Sequence, residues 1–163
     1  MEKWREQLKS KPLHYWSRVE IEEIVKEKQI DRERFYEYSK SKYNQIVRKF
    51  YYSFMDYKNY PKVHLHYAWL HLRNELKVLY NEYIHSDFEK SLYKIKEKLS
   101  YNWNNKLFLI LSDGWVYEGF IDEILSVLAE TDGIIDEFYI VTPEYDKLVV
   151  YSDDSDTIQI LEK

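Results

Sequence analysis

Four carboxylates lie close together in the sequence, where a short apolar segment gives way to a helical pattern: Asp113, Glu118, Asp122 and Glu123. Paired carboxylates can act as general acid and general base, and ligand sites often form at the carboxyl ends of strands. The segment shows no arrangement of a nucleophile with its base, and acidic residues also suit the N-terminus of a helix. We therefore expect no catalytic site and keep an enzyme that uses Asp113 and Glu118 as an alternative.

Three further aspartates, Asp153, Asp154 and Asp156, have part of the spacing of a calcium-binding loop. Such a loop also needs a glycine directly after the aspartates and a distal glutamate, and no glycine follows here. We therefore expect an acidic turn between two strands, which can form a surface patch for a basic partner.

Three histidines, His64, His66 and His71, fall within eight residues. On a helix, His64 and His71 would share one face and His66 would lie elsewhere, whereas helical metal pairs usually stand four residues apart. We expect His64 and His66 to face solvent at the start of a helix, with no bound metal and no other cofactor.

Tyrosine is the most distinctive residue type, with 17 copies in 163 residues. Seven tyrosines crowd residues 36–60, and lysines and arginines such as Arg48 and Lys49 lie between them. Aromatic and basic side chains in this mixture can bind single-stranded nucleic acid by base stacking and phosphate contact. Tyrosines also dominate protein interfaces and the edges of helical cores, so the pattern leaves these three roles open.

The charge is distributed unevenly along the chain. Residues 1–105 carry a net charge of +6 and residues 106–163 carry −11. We divide the chain there, into a basic, tyrosine-rich helical region and an acidic α/β region that pack together as one globular unit. The acidic region weakens the nucleic-acid alternative because it would repel phosphate.

Composition excludes several classes of site. The chain has no cysteine and only 3 glycines, so disulfides, thiolate nucleophiles and glycine-rich phosphate loops are excluded. No apolar run approaches the roughly 20 residues that a membrane helix needs, and the N-terminus lacks the apolar core of a signal peptide. These features predict a cytoplasmic protein with no membrane contact.

Helical spacing dominates the basic region. We predict a short helix over 1–10 and a long amphipathic helix over 31–57 that starts at Asp31. A strict 4-3-4-3-4 spacing then predicts a heptad seam, and Asp87 or Ser86 starts a further helix that ends near Leu99. The seam consists of Leu65, Trp69, Leu72, Leu76, Leu79 and Tyr83. These patterns predict an antiparallel helical bundle with no strand of five residues or more between 31 and 99.

Short apolar runs replace helical spacing after about residue 105. They predict strands at 107–111, 138–141, 148–151 and 158–161, and a buried helix at 120–128. If the first two strands are neighbours, their connection should be a right-handed crossover. The predicted fold class is α+β, with the N-terminal helical bundle followed by a small β-α-β-β(-β) sheet layer.

Two segments of the acidic region, LFLILSDGWVYEGFIDEILSVL and DEFYIVTPEYDKLVVYSDDSD, carry a family resemblance. They resemble the C-terminal portion of small uncharacterised bacterial proteins of the toxin-immunity type, some of them encoded beside polymorphic or contact-dependent toxins. The resemblance covers about 55 residues. It implies a non-catalytic protein that neutralises a toxin by direct binding.

These observations favour a bacterial or phage immunity or inhibitor protein that binds a toxin or another basic protein partner. An acidic, aromatic-rich surface suits such a partner, because charge accelerates association and aromatics anchor the interface. The residues expected to contact it are Asp113, Trp115, Tyr117, Glu118, Asp153, Asp154 and Asp156. A nucleic-acid-binding module that uses the basic, tyrosine-rich helices is the main alternative, and the oligomeric state is left open.

Overall fold

The computed structural model describes residues 17–84, 87–102 and 104–163. The helix predicted over 1–10 lies outside these residues. In chain order the elements are α1 Ser17–Glu27, β1 Phe35–Glu37, a 3-10 turn Lys40–Lys42, α2 Tyr43–Phe54, a 3-10 turn Ala68–His71, β2 Lys77–Tyr83, α3 Phe88–Lys98, β3 Leu107–Leu111, β4 Val116–Gly119, α4 Ile121–Leu128, β5 Glu137–Val141, β6 Lys147–Ser152 and β7 Thr157–Glu162.

A seven-stranded sheet is the centre of the molecule. Its strand order is β1-β4-β3-β5-β6-β7-β2, and every neighbouring pair is antiparallel. The five strands that follow residue 105 are contiguous in the sheet, and β1 and β2 from the basic region form its two edges. A bulge between Val78 and Tyr80 interrupts the pairing of β2 with β7.

Both faces of the sheet are covered. Alternate residues of a strand point to opposite faces, so Leu109 packs on one face and Ile110 on the other, and both are fully buried. Helices α1, α3 and α4 cover the first face with Ile21, Leu92 and Leu125 among their buried residues. Helix α2 and residues 55–76 cover the second face. The sheet core is therefore two layers of apolar side chains with a helical cover on each side.

The predicted helical bundle is wrong. Asp31 starts only a single turn, in which its carbonyl accepts from the backbone N–H groups of Arg34 and Phe35 at 3.0 Å. Phe35 then enters the sheet edge, where it is fully buried and stacks on Tyr117 at 5.0 Å. Pairing with β4 therefore ends the helical path before α2 begins at Tyr43. The non-local strand partner overrides the local helical spacing.

The predicted heptad seam is also wrong. Its C-terminal part is β2, a seven-residue strand within the range predicted to contain none. Of the six seam residues, only Leu76 is buried, at 9% exposure. Four are half-buried and Tyr83 is exposed: Leu65, Trp69, Leu72 and Leu79 are the half-buried ones. Residues 65–76 pack on the second face and Leu79 on the first. The apolar residues are regularly spaced because this segment packs first on the second face of the sheet and then on the first face. They do not form the apolar stripe of a single helix.

The acidic region was predicted more accurately. The four apolar runs form β3, β5, β6 and β7, and the helix forms as α4. In the basic region, Asp87 was one of the two predicted helix starts, and it caps α3, where its carboxylate accepts from the Lys90 N–H at 3.0 Å. The predicted order missed β4, which reverses the chain after β3. Strand β5 is therefore antiparallel to β3, and the crossover through α4 joins β5 to the parallel strand β4, with β3 between them.

No helix among the described residues is long and apolar enough to cross a membrane.

Candidate functional site

Strand register brings three connections to one end of the sheet. Leu111 at the end of β3 lies opposite Phe138 near the start of β5, and Glu137 lies opposite Ser152 at the end of β6. The β3–β4 turn, the residues that enter β5 and the β6–β7 turn therefore share this end. It holds most of the residues that the sequence singled out for binding.

Five aspartates concentrate there, and we call this group the acidic end: Asp132, Asp136, Asp153, Asp154 and Asp156. The N–H of Asp153 donates to the carbonyl of Asp136 at 2.7 Å, which joins the β6–β7 turn to the loop before β5. Partial burial raises the pKa of Asp153, and the other four carboxylates raise it further. None of the five makes an ion pair with a lysine or arginine in the described part of the chain.

Two exposed tyrosines flank the acidic end. Tyr67 is 41% exposed, and its interaction with the carboxylate of Asp154 raises the pKa of the phenol. Tyr83 is 62% exposed and lies opposite Thr157 in the β2–β7 pair, directly after the acidic turn. The surface therefore combines unpaired negative charge with accessible aromatic rings.

A buried carboxylate holds the segment that carries Tyr67. Glu137 is 2% exposed and accepts from the backbone N–H of Tyr67 and from the hydroxyl of Tyr139 at 3.1 Å. The Nδ1 atom of His66 lies 2.9 Å from Oε1 of Glu137. The backbone N–H of Trp69 donates to the Tyr139 hydroxyl at 3.0 Å. Burial raises the pKa of Glu137 against the opposing effect of these bonds. Glu137 thus fixes residues 66–69 against the sheet.

Asp113 and Trp115 lie at the same end of the sheet but are already engaged. The Ser17 hydroxyl donates to Asp113 at 2.5 Å, and burial raises the pKa of Asp113 to about 6. The half-buried Trp115 ring has the Arg18 guanidinium 5.5 Å and the Lys40 ammonium 5.1 Å from its centroid. These two residues therefore attach helix α1 and the 3-10 turn Lys40–Lys42 to the β3–β4 turn.

Tyr117 and Glu118 lie away from the acidic end. Tyr117 is fully buried, and its hydroxyl donates to Glu22 at 3.1 Å. Glu118 points to the opposite face and accepts from the Tyr36 hydroxyl. Of the seven predicted contact residues, the structure thus leaves the three turn aspartates exposed, half-buries Asp113, Trp115 and Glu118, and buries Tyr117.

The carboxylates that the sequence grouped together have four different partners. Ser17 binds Asp113 and Tyr36 binds Glu118. Lys96 pairs with Asp122 at 2.7 Å, and Arg34 pairs with Glu123 at 2.7 Å. They therefore form no shared acid–base pair in the described structure.

The three histidines also separate. His64 Nδ1 lies 2.9 Å from the His66 carbonyl, His66 faces Glu137, and His71 stacks on Tyr60 at 3.7 Å. Among the described residues, no three histidine or carboxylate side chains are placed to hold a metal ion.

A model of the family of unknown function DUF6756 matches residues 14–163. The chain belongs to this family. No curated protein and no solved structure matches the chain significantly.

Sequence reasoning missed several residues of this DUF6756 site. Asp132 and Asp136 join the β6–β7 turn only through the strand order, and Glu137 appears in the sequence as the first residue of an apolar strand. An acidic residue that begins an otherwise apolar strand is the one local signal, because a buried carboxylate requires partners.

Proposed function

We propose that this chain is a non-catalytic interaction protein of the immunity or inhibitor type, which binds a basic protein partner through the acidic end. The observation that carries the proposal is the group of five aspartates without a cationic partner in the described chain. Like charges in one place destabilise the free protein, and a basic partner would relieve this repulsion.

The two exposed tyrosines, Tyr67 and Tyr83, would supply binding energy that the exposed charges do not. Exposed charges accelerate association but add modest affinity, whereas buried aromatic anchors account for much of the binding energy at protein interfaces. Tyr67 and Tyr83 stand on either side of the β6–β7 turn, so one partner surface can cover both rings and the carboxylates between them.

The rigidity of the surface also favours binding. The β6–β7 turn is short, and residues 66–69 are fixed by Glu137. A surface that is ordered before binding loses less conformational entropy on association. Inhibitors that block a partner by stoichiometric contact benefit from this property.

A basic nuclease toxin is the partner class that this arrangement suits, because proteins that bind phosphate carry a positive surface. The likeness of residues 107–156 to immunity-type proteins supports the same class. Such an inhibitor would act in the cytoplasm. The dispersed partners of Asp113, Glu118, Asp122 and Glu123 favour binding over catalysis as the proposal.

The test uses the product of the gene adjacent to the one that encodes this chain, purified and titrated by calorimetry at two salt concentrations. The variant carries Asp153→Lys, Asp154→Lys and Asp156→Lys. The control reverses three exposed glutamates on helices α1 and α3, with Glu23→Lys, Glu27→Lys and Glu97→Lys. Both triple variants change the net charge equally.

The proposal predicts a complex of equal stoichiometry with micromolar or tighter affinity for the wild type and the control. The acidic-end variant should bind at least about tenfold more weakly, and its affinity should depend less on salt. Equal weakening by both variants would show that only overall charge matters. Unchanged binding by the acidic-end variant would place the interface elsewhere.

A further inference from the structure

The layer over the second face of the sheet is strongly basic. Residues 38–76 contain seven lysines and arginines and two acidic residues, Asp56 and Glu75. In the described structure, none of these seven cations has a carboxylate within ion-pair distance. By contrast, six of the lysines and arginines in the rest of the described chain, such as Arg34 and Lys96, are paired.

Two of these cations and two tyrosines form a continuous run. The Arg48 guanidinium lies 5.9 Å from the centroid of the Tyr52 ring. Tyr52 meets Tyr57 edge-on at 5.4 Å, and the Arg73 guanidinium lies 5.1 Å from the centroid of Tyr57. Tyr52 is 37% exposed, so the run is accessible at the surface of α2.

A groove of about 350 Å³ continues this run. Residues 56–59 form one wall, and Arg73, Asn74 and Glu75 form the other. The Arg73 guanidinium donates to the carbonyls of Tyr52 and Met55, which fixes its position at the groove. Asp56 is engaged, because the side-chain amide of Asn59 donates to it at 2.7 Å. Lys58 adds a further exposed cation to the same wall.

The basic surface reaches the sheet end that is opposite to the acidic end. The Lys49 ammonium lies 4.8 Å from the centroid of the Tyr145 ring, in the turn between β5 and β6. Strand β5 runs away from the acidic end toward this turn, so the two charged surfaces lie at opposite ends of the sheet. The basic surface therefore lies away from the five aspartates of the acidic end, and the nearest carboxylates of the acidic region are Glu144 and Asp146 in the β5–β6 turn.

We propose that this surface binds single-stranded nucleic acid. We call it the basic groove, and it consists of Arg48, Lys49, Tyr52, Tyr57, Lys58 and Arg73. Exposed aromatic rings stack on unpaired bases, and the unpaired cations match the phosphates. A duplex keeps its bases stacked inside and offers the rings no planar partner. An acidic protein would use the cations but not the ring faces, so the chemistry of the surface favours a single strand.

The experiment measures fluorescence anisotropy of a labelled mixed-sequence RNA strand of about 12 nucleotides, a length within the range that one binding fold covers. The same sequence as single-stranded DNA and as a duplex provides two further arms. The test variant is Arg48→Glu with Lys49→Glu. The matched control is Lys26→Glu with Lys90→Glu, which changes the charge equally at exposed sites on α1 and α3.

We expect the wild type and the control to bind the single strand with a dissociation constant of about 100 μM or tighter at moderate salt. The test variant should bind at least about tenfold more weakly. A plot of log affinity against log salt concentration should also be less steep for the test variant. Its slope should fall in magnitude by about 1.4, because the variant loses two phosphate contacts and each contact on a single strand contributes about 0.7. Tyr52→Ala should weaken binding without changing this slope, because stacking releases no counterions.

Three results would overturn the proposal. They are the absence of binding by the wild type, equal weakening by the test and control variants, and duplex binding as tight as single-strand binding. Competition by polyglutamate as effective as competition by the unlabelled strand would assign the surface to an acidic protein instead. Circular dichroism of every variant confirms that a loss of binding is not a loss of fold. The acidic-end variant should retain nucleic-acid binding, so this inference and the proposed function fail independently.

Discussion

The backbone N–H of Tyr67 donates to both carboxylate oxygens of Glu137, at 3.0 and 3.2 Å. Tyr67 adopts a left-handed backbone conformation, with φ of 61°. Such a conformation is uncommon for a residue with a bulky side chain and persists where the surroundings enforce it. The carboxylate of Glu137 supplies that enforcement, and it thereby sets the position of the Tyr67 ring beside Asp154.

Replacing Glu137 with alanine should therefore destabilise the protein by about 3 kcal/mol, because the Tyr67 N–H and the Tyr139 hydroxyl lose a charged acceptor in a buried place. Urea denaturation measures the change. The control is Glu130→Ala, whose exposed pair with Lys28 at 3.4 Å should contribute less than about 0.5 kcal/mol. Equal stability of the two variants would show that Glu137 does not hold the segment.

Asp113 should make stability depend on pH. Its pKa is raised from 3.8 to about 6 by burial, so the folded state keeps a proton that the unfolded chain releases between these values. This contribution to stability is fully present below pH 3.8 and is lost as the pH rises through about 6. Asp113→Asn avoids the buried charge and should be more stable than the wild type at neutral pH, by on the order of 1–3 kcal/mol.

Thermal melts of the wild type and Asp113→Asn across acidic and neutral pH measure this difference. Burial also raises the pKa of Glu137, which acts in the same direction in both proteins. The informative quantity is therefore the difference between the two melting temperatures. A difference that stays constant across this range would contradict the role of the Asp113 charge.

Two leucines of one segment provide a test of the second core. Leu76 is 9% exposed and packs beneath the sheet, whereas Leu70 is 59% exposed. Leu76→Ala should cost about 2–5 kcal/mol through lost burial and a residual cavity, and Leu70→Ala should stay within about 0.5 kcal/mol. Denaturant midpoints compare the two directly. A larger cost at Leu70 would mean that the segment faces the sheet differently.

Gly119 should tolerate no side chain. A Cβ atom there would lie 2.6 Å from the carbonyl oxygen of Arg34 and 3.0 Å from the Phe35 ring. Gly119→Ala should therefore push β1 away from β4 and cost about 1–3 kcal/mol. Faster amide hydrogen exchange at Tyr36 and Tyr38, whose N–H groups point toward β4, would identify the site of the damage.

The comparison variant for Gly119 is Gly133→Ala, which has open space around the added methyl group and carries only the strain of a φ of 77°. Its cost should be about 1 kcal/mol, and exchange in β1 should not change. Protection of β1 retained in Gly119→Ala would contradict the close approach of the two strands.

Sequence patterns predicted the parts of the fold that are buried on both sides. The unbroken apolar run Leu107–Leu111 is too short for a typical helix and can be buried on both faces only as a strand inside a sheet. The apolar runs of β5 and β6 were predicted for the same reason. The edges could not be predicted this way. Strand β1 has three residues and β2 exposes most of its side chains, so each depends on a distant partner that no local spacing reveals.

The same distinction applies to the candidate site. The turn aspartates Asp153, Asp154 and Asp156 are adjacent in the sequence and were singled out from it. Asp136 joins them by a backbone hydrogen bond across the sheet end, and Tyr67 joins them through Glu137, 70 residues away in the chain. Contacts of this kind depend on how distant segments are placed around the sheet. The predicted helical bundle placed the segment that carries Tyr67 incorrectly.

The positions of β1 and β2 at the two edges have a consequence for biosynthesis. Both strands leave the ribosome before any strand they pair with, and β2 waits for β7. Strand β1 can pair once β4 has been made, but β2 has no sheet edge to join until the last strand of the chain is complete. Contacts between such distant segments make folding slow and leave apolar surface exposed in the meantime. The newly made chain is thus most vulnerable to aggregation and proteolysis in the interval before β7 is released.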